Sequence, residues 1–264
     1  MINMVIKSNF KLKDPIFFRI YRKIKNNLFT FIRIITKSKK IENIYWKHFH
    51  GFHAANEDVT IPLVKISLEK AVELGTTEIG DYYEFGIFNG YTFLYVQKYA
   101  QLININNMKF FGFDSFKGLP DIRGIDKTDY YAYYTGELSY SKSRVIKDLN
   151  SRGADWNKTF IIEGFFEKSL NEGTRKKYKM NKVSVALIDC DLYSSTVEVL
   201  NFIKDMIIDK TILIFDEYES ILFKRDKDKG ESKAFSEFLE KNKNITVEEL
   251  KSIGTGKAFI IHKN

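Results

Sequence analysis

The amino-acid sequence predicts an α/β fold, namely a Rossmann-like sheet of seven strands with helices on both faces and an N-terminal helical extension. Three observations lead to this prediction. From about residue 60 onward, short apolar runs alternate with helical patterns. The last two runs are separated by the short turn Gly254-Thr255-Gly256, which indicates a hairpin. The segment before residue 60 differs in composition and is strongly basic.

Seven apolar runs are the predicted strands, and a helix over 61–74, ended by Gly75, precedes them. The first five runs alternate with helices, which favours a parallel sheet wound by right-handed crossovers. The runs are 82–85, 110–113, 159–162, 183–188, 211–215, 246–250 and 258–261. Seven strands with a terminal hairpin are the layout of the methyltransferase version of the Rossmann sheet. In that layout, ligands lie at the carboxyl ends of the central strands.

The basic character of the chain belongs to its first segment. Residues 1–50 contain twelve Lys and Arg but only two acidic residues, whereas the remainder contains 30 Lys and Arg against 32 Asp and Glu. A general nucleic-acid surface is therefore not expected on the main domain. We divide the chain into a basic amphipathic extension, 1–60, and a main domain, 61–264. The apolar face of the extension suits packing on the main domain or on a second subunit of a homodimer, or peripheral contact with an anionic membrane.

Three histidines of the extension, His48, His50 and His53, lie close together. Metal binding is one interpretation, but no Cys accompanies them and their spacing is not that of a zinc site, so loop or acceptor-pocket positions are favoured. Cys190 is the single cysteine, which excludes an internal disulfide. No apolar stretch approaches the length of a membrane span, and we expect a cytoplasmic protein.

The loop after the first strand has an E-x-G-x-x-x-G pattern, formed by Glu84, Gly86 and Gly90. Glycines at this position allow close backbone approach to a ligand, although an ordinary strand-to-helix turn would use them as well. An acidic residue beside the loop suits a cationic amino-acid ligand better than a pyrophosphate. Asp114 ends the second strand, where it could accept both hydroxyls of a ribose or cap the following turn.

Two acidic pairs follow the fourth and fifth strands: Asp189 with Asp191, and Asp216 with Glu217. Carboxylates that leave buried strands are costly unless they are paired, hydrogen-bonded or bound to a metal. Because the two strand ends should be neighbours, three of these carboxylates could bind Mg²⁺, Mn²⁺ or Ca²⁺, and the fourth could act as a base. Separate helix capping by each acid is the alternative.

Five segments in order resemble the macrocin and mycinamicin O-methyltransferase (TylF-type) family, which includes the enzyme that methylates the noviose sugar of novobiocin. The segments are FGFDSFKGLP, TGELSYSKSRV, IIEGFFEKSL, ALIDCDLYSST and ILIFDEY. The resemblance spans about residues 81–218 and implies the methyltransferase fold, S-adenosylmethionine, Mg²⁺ and a sugar hydroxyl as acceptor. Residues 1–60 do not match, so the resemblance leaves the acceptor open.

Residue by residue, the resemblance implies three groups of functional side chains. The cofactor would be bound near Glu84, Gly86, Gly90, Asp114, Ser115, Gly164 and Phe165. The metal would be ligated by Asp189, Asp216 and Glu217, with Asp191 as the catalytic base. Where the family usually has Asp-Asp, this chain has Asp216-Glu217, whose longer second side chain changes the geometry of the site.

The sequence thus predicts a metal-dependent O-methyltransferase acting on a sugar of a surface polysaccharide or a secondary metabolite. Methylation of a catechol-like phenol and a non-catalytic binding module on the same fold are the alternatives. The segment 119–145 contains five tyrosines between positions 130 and 140. Tyrosines stack on sugar rings, so this segment is interpreted either as a lid over a small-molecule or glycan acceptor or as a rigid surface loop.

Overall fold

The computed structural model describes residues 56–127, 133–219, 226 and 228–264. The predictions for residues 1–55 of the basic extension, which include His48, His50 and His53, concern residues outside these ranges. In the described part, the chain forms one seven-stranded sheet with helices on both faces. None of the helices in this part has the length and apolar character that a membrane span requires.

The strands occur where the apolar runs predict them, but they extend further. Their bounds are β1 Gly80–Phe85, β2 Phe110–Asp114, β3 Thr159–Glu163, β4 Lys182–Ile188, β5 Ile207–Phe215, β6 Ile245–Ile253 and β7 Gly256–Lys263. The order across the sheet is β3-β2-β1-β4-β5-β7-β6. The pairs among β1 to β5 are parallel, whereas β7 is antiparallel to both β5 and β6. The predicted parallel sheet with a terminal hairpin is therefore confirmed.

Seven α-helices are present in the described part of the chain. They are α1 Ile61–Glu73, α2 Tyr91–Leu102, α3 Lys142–Ser151, α4 Phe166–Ser169, α5 Glu172–Tyr178, α6 Tyr193–Ile203 and α7 Gly230–Lys241. Helix α1 ends as predicted, because Gly75 follows it in the left-handed conformation that a helix C-terminus favours.

The sheet separates two apolar cores, because successive strand residues point to opposite faces. One core contains side chains of α1, α2 and α3, such as Leu63, Phe93 and Val145. The other contains side chains of α6 and α7, such as Val199 and Phe235. Burial on both faces explains why the central strands are continuous apolar runs in the sequence.

Aromatic side chains stack across neighbouring strands on the α6–α7 face. Phe85 of β1 lies on Phe113 of β2 with ring centroids 4.8 Å apart, and Tyr83 lies on Phe111 at 5.0 Å. Phe111 in turn stacks on Phe160 of β3 at 5.0 Å. These parallel rings hold the three strands in register, so the carboxyl ends of β1 and β2 are level where the candidate site begins.

Candidate active site

A cavity of about 640 Å³ opens at the carboxyl ends of β1, β2, β3 and β4. This volume lies within the range of pockets that bind cofactors and small molecules. Eight of the eleven predicted site residues line it: Glu84, Gly86, Asp114, Ser115, Gly164, Phe165, Asp189 and Asp191. The other three, Gly90, Asp216 and Glu217, do not line it. The strand ends therefore gather most of the predicted residues around one space.

Gly86 allows the first loop to pass directly against the end of β4. Its φ is +97°, and a Cβ atom there would lie 1.7 Å from the carbonyl oxygen of Asp189. Hydrogen bonds on both sides fix this approach, because Gly86 N donates to Phe113 O (2.8 Å) and Asp189 N donates to Phe85 O (2.9 Å). No residue with a side chain fits this backbone arrangement.

Gly90 has a different position. It precedes helix α2 with a φ of +77°, and a Cβ atom there would approach the side chains of Leu149 (3.2 Å) and Val145 (3.3 Å). This glycine lets α2 begin close to α3, on the side of the loop that packs into the core. Its predicted contact with a cofactor stays a prediction.

Glu84 and Asp114 are the two acids at the ends of β1 and β2. Glu84 is buried, and its Oε2 accepts a hydrogen bond from the Tyr82 hydroxyl (2.7 Å). Burial is the main cause that raises the pKa of Glu84 well above its ordinary value, and the Tyr82 hydrogen bond opposes it. Burial also raises the pKa of Asp114 to about 6, against two backbone hydrogen bonds that lower it.

Those two hydrogen bonds fix the orientation of the Asp114 carboxylate. Its Oδ2 accepts from Phe88 N (2.8 Å) in the loop after β1, and its Oδ1 accepts from Phe116 N (2.7 Å). The side chain therefore links the loop after β1 to the loop after β2. This arrangement includes the turn-capping interaction that was the alternative to ribose binding, and the carboxylate still faces the cavity.

Gly164 and Phe165, which follow β3, lie beside Ser115 at the same end of the cavity. Gly164 has a φ of +144°, and its N–H donates to Asp114 O (3.0 Å). Ser115 shapes the loop after β2, because its Oγ donates to Gly118 O (2.7 Å) and accepts from Lys117 N (3.0 Å). These residues form the side of the cavity opposite the acidic strand ends of β4 and β5.

The ends of β4 and β5 are neighbours, as predicted, and they bring Asp189 and Asp216 into contact. Their side chains are close enough to interact directly, and both are buried. Burial, followed by the charge of Asp191, raises the pKa of Asp189 well above its ordinary value. Burial, followed by the charge of Asp189, raises the pKa of Asp216 in the same way. No Lys or Arg side chain is among the main influences on either pKa, so a bound cation could stabilise the charged form of both carboxylates.

A further carboxylate, which sequence reasoning missed, belongs to the same cluster. Glu231 lies in the first turn of α7 and is buried, with 1 % of its surface exposed. Burial and then the charge of Glu217 raise its pKa well above the ordinary value. The sequence contains one signal for it: Glu231 occupies a position on the buried face of α7, three residues before Ala234 and four before Phe235.

Asp191 has a left-handed backbone, with a φ of +63°, which turns the chain sharply out of β4. Its Oδ1 accepts a hydrogen bond from the hydroxyl of Tyr133, the first described residue after the gap in the tyrosine-rich segment. Asp126 supports the same turn, because it is buried and accepts from Tyr193 N (2.7 Å) at the start of α6. Neither Tyr133 nor Asp126 was singled out from the sequence.

The acidic cluster consists of Asp189, Asp191, Asp216, Glu217 and Glu231. Within the described ranges, no three His, Cys, Asp or Glu side chains stand in a ready-made metal-binding arrangement. The donor chemistry nevertheless fits a hard divalent cation, since all five side chains present carboxylate oxygens. Asp216 Oδ1 and Glu231 Oε1 are buried and have no hydrogen-bond partner among the described residues. The groups present are thus compatible with a cation.

The fold and the site together are those of an α/β protein with the Rossmann-like sheet of methyltransferases. In the sheet, β7 lies antiparallel to β5. The cavity lies beside the carboxyl ends of β1, β2 and β4, which carry acidic residues. The model of the macrocin O-methyltransferase (TylF) family matches residues 67–253. The chain therefore belongs to this family and is an S-adenosylmethionine-dependent methyltransferase.

Solved structures of low sequence identity share the fold. The O-methyltransferase NovP is 18% identical, with a TM-score of 0.61 over 76% of this chain and 78% of its own. The calicheamicin methyltransferase CalS11 is 18% identical, with a TM-score of 0.59 over 74% of this chain and 77% of its own. An apo structure of CalS11, described as a TDP-rhamnose 3'-O-methyltransferase, gives 0.52 at 17% identity, covering 74% and 78%. No curated protein sequence matches this chain significantly.

Proposed function

We propose that this protein methylates a hydroxyl group of a sugar and that it uses a divalent cation, Mg²⁺ in the first instance. The single observation that supports this most strongly is the acidic cluster at one end of the cavity, whose Asp189 and Asp191 line the cavity wall. The acceptor class is suggested by CalS11, a protein of similar fold that is described as a TDP-rhamnose 3'-O-methyltransferase. Hydroxyl methylation needs a base and an oriented oxygen, and the cluster offers carboxylates for both tasks.

Glu84, Asp114 and the loops after β1 to β3 would hold the cofactor. Bound S-adenosylmethionine supplies a methyl group on a positively charged sulfonium. Glu84 would pair with the cationic amino group of the cofactor, whose positive charge would compensate the buried carboxylate, and Asp114 would accept from the ribose hydroxyls. Gly86 would keep the loop after β1 pressed against the end of β4, where both border the cofactor site. The two-sided fixation of Asp114 by Phe88 N and Phe116 N means that its carboxylate is oriented before a ligand arrives.

Asp189, Asp216 and Glu217 would hold the cation. A cation at this position would lower the pKa of the acceptor hydroxyl. The structure supports this assignment through charge: Asp189 and Asp216 are buried side by side, and neither forms an ion pair with a Lys or Arg of the described ranges. Carboxylate ligands must be deprotonated to bind a cation, so cation binding should strengthen as the pH rises.

Asp191 would take the proton from the acceptor hydroxyl. It leaves β4 on a sharp left-handed turn, lines the cavity, and accepts a hydrogen bond from Tyr133. The acceptor would enter from the side of the cavity that Pro120, Asp121 and Arg123 border. When the sugar hydroxyl approaches Asp191, it would take the place of the Tyr133 hydroxyl as hydrogen-bond donor to the carboxylate.

A methyl-transfer assay with a panel of acceptors tests the proposal. We expect transfer to sugar hydroxyls, such as those of a nucleotide-linked deoxysugar, in the presence of Mg²⁺ and not after chelation. Transfer to catechols but to no sugar would contradict the acceptor class. Transfer at full rate in a chelator would contradict the role of the cation.

Asp191→Asn tests the base within the same assay. Asn tolerates the left-handed conformation of this position, so the variant should fold. We expect its rate to fall by a factor of about 10² to 10⁴, with little change in cofactor affinity. Asp209→Asn, at the opposite end of the sheet, is the matched control and should retain the wild-type rate. An Asp191→Asn variant with the wild-type rate would refute the assignment.

A further inference from the structure

Glu231 is a buried carboxylate with one oxygen used and one unused. Its Oε2 accepts a hydrogen bond from Glu217 N (3.2 Å), the residue that follows Asp216 at the end of β5. Its Oε1 is buried and has no hydrogen-bond partner within the described ranges. The side chain as a whole is 1 % exposed, so water does not replace the missing partner at the surface.

Packing does not explain an acid at this position. Ala234, Phe235 and Phe238 lie on the same buried face of α7, one and two turns further along the helix. An apolar side chain of similar size would fill the space at no electrostatic cost. Burial of a carboxylate with an unsatisfied oxygen costs several kcal/mol unless another group compensates it.

The groups around Glu231 have charges of the same sign. Its strongest electrostatic neighbours are the carboxylates of Glu217, Asp189 and Asp191. Glu231 forms no ion pair with a Lys or Arg of the described ranges. A positive group placed beside Glu231 would compensate its buried charge and give Oε1 a partner.

We propose that Glu231 is an additional carboxylate of the cation site, and that its two oxygens have separate tasks. Oε1 supplies an oxygen and a negative charge to the cation, while Oε2 fixes the backbone of Glu217 and so positions that ligand. The inference rests on the proposed function, because it requires a divalent cation at the acidic cluster. It adds an acid from α7 to those that the ends of β4 and β5 supply.

Direct titration with Mn²⁺, followed by the paramagnetic resonance signal of free Mn²⁺, tests this role without any turnover. Glu231→Gln keeps the size of the side chain and the oxygen that accepts from Glu217 N, and it removes the charge. We expect Mn²⁺ affinity to fall by a factor of about 10 to 100, the range found when a partner of a metal ligand is removed. Glu240→Gln, an exposed position on the same helix, is the control and should bind as the wild type does.

Glu231→Asp is the second variant. It keeps the charge but is one methylene shorter, so we expect it to lose either the cation contact or the hydrogen bond from Glu217 N and to bind Mn²⁺ more weakly. Wild-type affinity in either folded variant would overturn the inference and leave the proposed function intact. A wild-type protein that binds S-adenosylmethionine but no Mn²⁺ would overturn the cation part of the proposed function, and the inference with it.

Discussion

Replacement of Gly86 by Ala tests whether the close approach of the loop after β1 to the end of β4 is essential. The new Cβ would lie 1.7 Å from Asp189 O and 2.9 Å from Asp189 C. Ordinary contacts of a Cβ begin at about 3.4 Å. The two backbones would therefore have to separate by more than an ångström, which would break the 2.9 Å hydrogen bond from Asp189 N to Phe85 O.

Three effects contribute to the expected loss of folding stability in Gly86→Ala. The left-handed backbone costs an Ala about 1–2 kcal/mol, the overpacking about 1–3 kcal/mol and the broken hydrogen bond about 1 kcal/mol. We therefore expect Gly86→Ala to lower the free energy of unfolding by about 3–6 kcal/mol. Gly75→Ala is the matched control, because its φ is +74° and a Cβ there meets nothing within 4 Å. It should lose only about 1–2 kcal/mol.

Urea unfolding followed by far-ultraviolet circular dichroism measures both variants. Gly86→Ala should also lose cofactor binding, since the displaced backbone carries Asp189 and borders the cavity. Gly75→Ala should keep it, because Gly75 lies at the end of α1. A Gly86→Ala protein as stable as Gly75→Ala would refute the argument that only glycine fits here.

Two further predictions concern buried acids. Asp126→Ala removes the carboxylate that accepts from Tyr193 N (2.7 Å) and Ser194 N (3.3 Å) at the start of α6. Urea unfolding should show that the free energy of unfolding falls by about 1–3 kcal/mol. A decrease below about 0.5 kcal/mol would contradict the capping role. Burial raises the pKa of Asp114 from 3.8 to about 6, so the folded state binds this proton more tightly than the unfolded chain does. The free energy of unfolding should therefore fall as the pH rises from about 4 to 6, by at most about 3 kcal/mol from Asp114, and unchanged stability across this window would contradict the prediction.

The fold was predictable because the strands are apolar on both faces and the connections contain clear helix and turn signals. The first and last residues of the strands were less predictable than their number and order, as β5 illustrates. Its pairing with β4 shifts register between Val183 and Val185, and the strand begins at Ile207 with polar residues before Thr211. A register shift lets polar side chains remain exposed within a strand, and no apolar run marks such residues.

The site was predictable where its residues follow strands, because the ends of parallel strands meet at one edge of the sheet. The approach of Asp189 and Asp216 follows directly from the pairing of β4 with β5. Glu231 and Asp126 follow no strand, and their burial depends on how α7 and the loop after β2 pack. Tyr133 reaches Asp191 from a distant part of the chain, and the sequence has no periodic signal for such a contact.

Calorimetric titration of the wild-type protein and of Asp114→Ala with S-adenosylmethionine tests most directly that the cavity is the cofactor site. We expect the wild-type chain to bind one cofactor molecule. Because Asp114 is the acid placed for the ribose, we expect the affinity of the variant to fall by a factor of about ten or more. A folded wild-type protein that takes up no cofactor, or an Asp114→Ala protein that binds it with unchanged affinity, would contradict the assignment of this cavity.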